Sequence, residues 1–140
     1  MRKVKFRVYD KKNKKMYYGY APNRPNVITL DGEIRIMGQG YIDDYGDFLA
    51  NIDYCNQEDF VLMLYVERKD MEGREIYEED IVRIKDKVNG IEDISYVGVV
   101  RYNPIYCQFV VEYEDLNGIR KYKNIDNFTK VIGNIYEGYY

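Results

Sequence analysis

The sequence contains no histidine, and this absence excludes much of the usual chemistry of enzymes. Ser-His-Asp triads, Cys-His pairs and His-ligated metal centres would all lack their base or their ligand. What remains open is carboxylate chemistry, either as an acid/base pair or as oxygen ligands of a divalent cation. We therefore predict no catalytic residue, no cofactor and no metal ligand.

Cysteine and long apolar runs are also scarce. Cys55 and Cys107 are the only cysteines and lie in no metal-binding or redox spacing, so we expect two buried or half-buried free thiols, with Cys107 in a strand. The longest apolar stretch, residues 60–66, has the length of a strand. No apolar segment follows the charged N-terminal residues, so no signal peptide is predicted. These features indicate a cytoplasmic protein with no membrane partner.

The charge is unevenly distributed along the 140 residues, whose net charge is −3. Residues 1–20 carry eight Lys or Arg and one Asp, whereas residues 31–80 carry fifteen acidic and four basic side chains. A basic arm beside an acidic middle is typical of a nucleic-acid contact or of two faces that pair in an oligomer. Solvated strand faces explain the same pattern.

A nucleic-acid interface is therefore one hypothesis for the N-terminal arm. Its cations would contact phosphates, and Tyr17 and Tyr18 would provide stacking surfaces. The candidate contacts are Arg2, Lys3, Lys5, Arg7, Lys11, Lys12, Lys14 and Lys15.

Three turn dipeptides predict hairpins, because Asn-Gly and Asp-Gly supply the positive φ angles of two-residue turns. Around Asn117-Gly118, such a loop would place Tyr113 opposite Tyr122. It would also oppose Glu114 with Lys121, Asp115 with Arg120 and Glu112 with Lys123. The second hairpin turns at Asp31-Gly32 and the third at Asn89-Gly90, where a two-residue loop would oppose Asp86 with Asp93. A longer loop there would remove that conflict.

The fold class that follows is mainly β, with two domains. Residues 1–60 form an N-terminal β-rich region with hairpins, in which residues 4–9 alternate apolar and basic side chains and predict a strand with one wet face. Residues 38–59 lose this periodicity and predict a long acidic loop. Residues 61–140 contain five successive strands joined mostly by tight turns, the size of an SH3-like or OB-like barrel, and we expect the SH3-like form.

Seventeen tyrosines are the compositional excess. Tyrosine packs well on strand faces and is also enriched at protein interfaces. We predict a subunit or partner contact at Tyr136, Tyr139 and Tyr140, because a chain end gains little from three tyrosines unless they dock.

Two other clusters are weak candidates for binding sites. Gly38-Gln39-Gly40 lacks the third glycine and the Lys of phosphate-binding loops. Asp43, Asp44 and Asp47 gather three carboxylates but miss the EF-hand spacing.

Three blocks of sequence carry a resemblance to a known family. The first block is the strand and Lys-rich turn of residues 5–16, and the third is residues 131–137. The second block begins at Tyr65 and includes Lys69-Asp70, Gly73, residues 75–78 and residues 80–82. In this order they resemble the YopX family of phage and prophage proteins. The chain departs from the family at Tyr9, where Trp is expected, and at Glu79, where Gly is expected, which affects the turn before Asp80.

The resemblance implies a C-terminal SH3-like barrel and a phage or prophage origin, and it transfers no catalytic residue. We expect a non-enzymatic binding module that engages a host or phage protein in the bacterial host cytoplasm, as a homo-oligomer. One alternative is a nucleic-acid-binding protein that uses the basic arm. A divalent-cation carboxylate enzyme is the other.

Overall fold

A computed structural model describes residues 5–18, 26–30, 33–37, 41–42, 48–49, 52–54, 57–88 and 92–140. The chain divides into two compact units, Met1–Leu64 and Tyr65–Tyr140. Most of the described residues lie in strands, and no α-helix occurs among them. The mainly-β prediction is confirmed.

The first unit is built from hairpins. Its strands are β1 (Phe6–Asp10), β2 (Lys15–Tyr18), β3 (Asn26–Leu30), β4 (Glu33–Met37), β5 (Tyr41–Ile42), β6 (Phe48–Leu49), β7 (Ile52–Tyr54) and the start of β8 (Phe60–Lys69). β1 pairs with β2 and β8, β4 with β3 and β7, and β5 with β6. Leu30 opposite Glu33 confirms the hairpin predicted at Asp31-Gly32, and Asp10 opposite Lys15 closes the Lys-rich turn between β1 and β2. β5, β6, β7 and a 3-10 turn at Gln57–Asp59 lie within the predicted acidic loop.

Strand β1 is buried on both faces, so the predicted wet face is wrong. Arg7 is 2% exposed and Val8 is fully buried, where it packs with Phe6, Tyr17 and Phe60. The alternation with basic residues suggested a solvent-facing row, yet β1 is the middle strand between β2 and β8. Because consecutive residues of a strand point to opposite faces, the burial of both Arg7 and Val8 shows that neither face of β1 is left to solvent.

The second unit contains the end of β8 and β9 (Glu75–Tyr77), which pair with each other. Its main sheet has six antiparallel strands in the order β13-β12-β11-β10-β14-β15. These strands are β10 (Asp80–Val88), β11 (Glu92–Asn103), β12 (Gln108–Glu114), β13 (Arg120–Asn124), β14 (Lys130–Asn134) and β15 (Gly138–Tyr139). β10 to β14 are the five predicted strands. The sheet curls into a half-barrel, and SH3-like closure stays a prediction.

One apolar cluster fills the inside of this sheet. Val82 and Ile84 on β10 alternate with outward residues, as do Val111 and Tyr113 on β12, which is the period-2 pattern of a half-buried strand. The buried members are Ile76, Val82, Ile84, Tyr96, Val100, Val111, Tyr113, Ile125 and Val131. All of them lie in the second unit, which therefore has a core of its own.

The Asn117-Gly118 hairpin exists, but its predicted register is wrong by one residue. Glu114 pairs with Arg120, and Tyr113 pairs with Lys121 instead of Tyr122. The loop is one residue longer because the backbone N–H of Asp115 donates to the C=O of Ile119 (2.9 Å), while Gly118, at φ 76°, donates to the C=O of Asp115 (3.0 Å). This is a turn followed by a glycine bulge. The Asp115 carboxylate fixes it by accepting from the N–H groups of residues 117 and 119, both at 2.9 Å.

The register of β10 with β11 resolves the conflict that a two-residue loop would create at Asn89-Gly90. Asp86 lies opposite Ile94, and Lys87 lies opposite Asp93. Like charges are thereby kept apart and an acid faces a base. Residues 89–91 lie outside the described residues.

Asp70 joins a turn to the far end of the chain. Its carboxylate is 7% exposed and accepts from the N–H groups of Glu72 (2.9 Å), Arg74 (2.8 Å) and Val131 (2.9 Å). Hydrogen bonds from three backbone N–H groups compensate for the free-energy cost of burying this carboxylate. The Lys69-Asp70 and residue 131–137 blocks therefore meet at this point.

Glu79 keeps the conformation that glycine would have had. Its φ is 68°, in the left-handed region, and the turn is closed by the buried Asp80, whose Oδ2 accepts from the N–H of Tyr77 (2.7 Å). Backbone hydrogen bonds hold Glu79 on both sides, from its N–H to the C=O of Val100 (2.9 Å) and from the N–H of Ile135 to its C=O (3.1 Å). The surrounding pairing imposes the turn despite the side chain.

Candidate binding groove beside strand β13

A groove of about 460 Å³ lies beside β13, entirely within the second unit. Its wall combines two exposed tyrosines, Tyr106 and Tyr122, with the buried Val110. The complete lining is Asp86, Tyr106, Gln108, Val110, Tyr113, Lys121, Tyr122, Lys123 and Asn124. A concave site with an apolar base and a few polar groups is the usual form of a binding site.

The turn between β11 and β12 presents Tyr106. Asn103 is 8% exposed, and its Oδ1 accepts from the N–H groups of Ile105 (2.9 Å) and Tyr106 (3.4 Å). Cys107 ends the turn at φ 51°, so its predicted place in a strand is wrong, and its thiol is exposed, so its predicted burial is wrong as well. This geometry leaves the Tyr106 side chain 64% exposed.

The base of the groove is fixed by a phenol–carboxylate pair. Tyr113 is 4% exposed, and its hydroxyl donates to Oδ2 of Asp86. Burial, followed by the hydrogen bond to Asp86, raises the pKa of Tyr113 above its ordinary value. The Tyr96 ring lies 5.1 Å from the Tyr113 ring, centroid to centroid. Tyr113 is therefore held as a neutral donor in a packed position.

Lys123 bridges two strands that are not neighbours in the sheet. Its Nζ donates to the backbone C=O of Lys85 on β10 and lies 4.0 Å from Oδ1 of Asp86. β12 and β11 separate β13 from β10, which in a flat sheet would place them about 14 Å apart. The curl of the sheet thus brings β13 close to β10, and the groove lies where these two strands approach each other.

Ion pairs surround the groove. Arg120 lies 3.1 Å from Glu112, Lys121 lies 3.1 Å from Asp115, and Lys123 lies 3.4 Å from Asp126. The amide of Gln108 donates to that of Asn124 at 3.1 Å. The backbone N–H of Ile119, which donates to the Asp115 carboxylate, is the main cause that lowers the pKa of Asp115, and Lys121 and the N–H of Asn117 also lower it. The positive charges of β13 are therefore matched, but at exposed positions where such pairs are weak.

The three C-terminal tyrosines occupy different environments. Tyr140 is tied to its own unit: its ring lies 4.1 Å from the Arg74 guanidinium, and its hydroxyl accepts from Asn134 (3.1 Å). Tyr136 is half-buried, and burial followed by the Glu79 carboxylate raises its pKa. Tyr139 is 70% exposed. Tyr140 is 58% exposed, and a subunit or partner contact at these three tyrosines stays a prediction.

The basic arm is divided in a similar way. Arg2 and Lys3 lie outside the described residues, and Arg7 is buried. The remaining cations, Lys5, Lys11, Lys12, Lys14 and Lys15, are exposed, and the last four surround the turn between β1 and β2. Lys15 lies 5.0 Å from the centre of the Tyr17 ring.

Several other predicted features cannot be placed. Cys55, Gly38-Gln39-Gly40 and the carboxylates at positions 43, 44 and 47 lie outside the described residues. In the part of the chain that is described, no three Asp, Glu, Cys or His side chains are grouped as for a metal ion. Cys107 is a free thiol. Within the same part, no helix has the length and apolarity needed to cross a membrane.

Sequence reasoning missed the groove. Tyr122 was assigned to a cross-strand pair with Tyr113, and the one-residue shift instead places Tyr122 opposite Glu112. An acidic side chain two residues before the Asn-Gly pair is the available signal, because Asp115 is what extends the loop. The approach of Asp86 to β13 has no local signal.

Comparison with known proteins identifies the family. The YopX protein family matches residues 5–138, so the chain belongs to the YopX family, as its motifs indicate. The crystal structure of protein EF1440 from Enterococcus faecalis is similar to this chain, with a TM-score of 0.58 at 24% sequence identity. The match covers 98% of this chain and 96% of that one, and it shows a shared fold. Comparison with curated proteins gave no match.

Proposed function

We propose that the protein is a non-enzymatic binding module of a phage or prophage, and that the groove beside β13 contacts a protein of the host or the phage. The observation that carries the proposal is the pair of exposed tyrosines, Tyr106 at 64% and Tyr122 at 51% exposure, on either side of a preformed cavity. Tyrosine gives a large contact area for few rotatable bonds, which is why it is common at interaction hot spots.

The base of the groove supports binding more than catalysis. Its one acidic lining residue, Asp86, already accepts from Tyr113 and lies near Lys123. A carboxylate held in this way positions its neighbours and keeps the wall rigid. Rigid walls lower the ordering cost of association.

Site-specific photo-crosslinking in the bacterial host tests the proposal. A photoreactive amino acid would replace Tyr122, Tyr139 or the control residue Met71, which is 58% exposed in a turn of the same unit. We expect one dominant protein adduct from position 122 and none from position 71. Tyr106→Ala with Tyr122→Ala should reduce recovery of that protein at least about tenfold. Equal labelling from positions 71 and 122 would exclude the groove as the contact.

Self-association is the second part of this proposal, with Tyr139 as the exposed member of the C-terminal tyrosines. Sedimentation equilibrium of the wild type and of Tyr139→Ala measures it directly. We expect an oligomer for the wild type and a weaker one for the variant. A wild type that stays monomeric at high concentration contradicts this part.

Nucleic-acid binding is a second candidate function, favoured by the exposed lysines around the β1–β2 turn and by the Lys15–Tyr17 contact. Binding of single-stranded DNA at several salt concentrations tests it. A true electrostatic site loses affinity steeply with salt, and Lys11→Gln with Lys12→Gln should reduce that slope by about 1.5. Binding that is absent at low salt excludes it.

A further inference from the structure

The outer edge of β13 is the end of the six-stranded sheet. Among the described residues, no strand pairs with that edge. Because the N–H of Asp115 donates to the C=O of Ile119, alternate residues from Ile119 onward direct their backbone groups toward β12. Lys121 and Lys123 belong to that inner row. The N–H and C=O groups of Arg120, Tyr122 and Asn124 therefore point away from the sheet.

The groove adjoins this edge. The pair of Val110 with Asn124 lies on one face of the sheet, while the pair of Tyr113 with Lys121 lies on the other. Residues from both faces line the same cavity, so the cavity extends around the edge of β13. An occupant of the groove is consequently within reach of the outward backbone row.

The charge of β13 favours one of the possible occupants of its outer edge. β13 reads Arg-Lys-Tyr-Lys-Asn and contains no acid. If two copies paired antiparallel about Tyr122, Lys121 of one copy would lie opposite Lys123 of the other, and like charges directly opposite are destabilising. A segment in which acidic and apolar side chains alternate would instead place its acidic row beside Lys121 and Lys123, which lie on the same face of β13. The present partner of Lys121 is Asp115, at 3.1 Å, and because Lys121 is 53% exposed, sharing this cation with the added segment costs little.

We propose that β13 takes up an extended acidic segment of the partner protein as an added strand. The backbone of this segment pairs with Arg120, Tyr122 and Asn124, its acidic side chains meet the cations of β13, and its apolar side chains enter the groove between Tyr106 and Tyr122. This mode of recognition rests on the proposed function, because it specifies how the groove contacts its partner. Strand addition gives affinity through backbone hydrogen bonds and selectivity through alternate side chains.

Synthetic peptides test the mode without altering the protein. The probe is an octapeptide in which Glu alternates with Val and Tyr, and its matched control carries Lys in place of each Glu. Binding is followed by NMR of the full chain through the amide signals of residues 120–124. We expect the acidic peptide to bind at least about tenfold tighter and to slow hydrogen exchange of the Tyr122 and Asn124 amides.

Two further peptides test the backbone pairing. Each carries N-methyl groups on alternate residues, one set on the odd positions and the other on the even positions. Since an added strand presents only one row of its N–H groups to β13, one set should lose binding about tenfold and the other should retain it.

The outcomes separate the two proposals. Equal loss from both methylated sets, preference for the Lys peptide, or unprotected Tyr122 and Asn124 amides would overturn strand addition. A protein that still crosslinks at position 122 would in that case leave the proposed function standing. Loss of the crosslink together with normal peptide protection would remove the proposed function instead.

Discussion

At the scale of single residues, Glu79 shows how pairing overrides the preference of a side chain. Its φ of 68° is a conformation in which a side chain with a Cβ is disfavoured by about 1–2 kcal/mol. Two backbone hydrogen bonds, to Val100 and from Ile135, hold it there. The expected glycine of the family motif and the glutamate of this chain therefore support the same turn.

We predict that Glu79→Gly stabilises the protein by about 0.5–1 kcal/mol, because relief of the left-handed strain exceeds the added entropy of the unfolded chain. Chemical denaturation measures the change. Glu79→Gln is the control, since it removes the charge that lies 3.6 Å from Arg101 but keeps the Cβ. Should Glu79→Gly be less stable than Glu79→Gln, the backbone would not be strained.

Tyr113 gives a pH-dependent prediction. Because its folded pKa is raised, the stability linked to it is fully present below the unfolded pKa of about 10 and is lost as the pH rises toward the folded value. Unfolding free energies from pH 7 to pH 11 should therefore show wild type losing its advantage over Tyr113→Phe above pH 10, by at most about 1.4 kcal/mol per pH unit. The other tyrosines are present in both proteins, so their contributions to the pH dependence cancel in the difference between wild type and Tyr113→Phe. A constant difference across the range would contradict the raised pKa.

At the scale of elements, the positions of the strands were predictable from the sequence, whereas the lengths of the loops between them were less predictable. Turn dipeptides and alternating residues are local signals, and they located β10 to β14 and the hairpin between β3 and β4. Register depends on more: the carboxylate of Asp115 adds one residue to its loop and moves Tyr122 away from Tyr113. Two features that form the groove were not predictable: this shift in register, and the curl of the sheet that brings Asp86 near Lys123. Asp86 and Lys123 are 37 residues apart in sequence, farther than any local sequence pattern extends.

Strand β15 depends on close approach at Gly133. A Cβ there would overlap the backbone oxygen of Gly138 and would lie 2.8 Å from Cα of Tyr139. We predict that Gly133→Ala displaces β15, costs about 1–3 kcal/mol and releases Tyr140 from Arg74. Thermal unfolding and the NMR shifts of the Tyr140 ring measure both effects. Leu116→Ala, at a position that is 70% exposed, should change neither, and an unaltered Gly133→Ala protein would refute the prediction.

At the scale of the whole molecule, the second unit has the features of an independent folding unit. Every member of its core cluster lies between Ile76 and Val131. The sequence predicted a second domain from residue 61, and the chain divides after Leu64, within β8. Burial of one continuous apolar core is the main source of domain stability.

We predict that residues 65–140 expressed alone fold and unfold cooperatively, because their core contains no residue of the first unit. Thermal denaturation followed by circular dichroism tests cooperativity, and an amide NMR spectrum that overlays that of the full chain for residues 92–140 tests identity. A broad transition with collapsed amide dispersion would mean that the first unit is required.

The hydrogen bond from the N–H of Val131 to Asp70 spans 61 residues of sequence. During synthesis, Asp70 leaves the ribosome well before its partner, and β10 likewise leaves it well before β14, although the separation there is shorter. The hairpins of β10 to β13 can form from local contacts in the meantime, whereas the Asp70 junction can close only after Val131 has been synthesised. Long-range closure of this kind slows folding, so the edge of β10 that pairs with β14 stays open to aggregation or to chaperones until β14 has been synthesised.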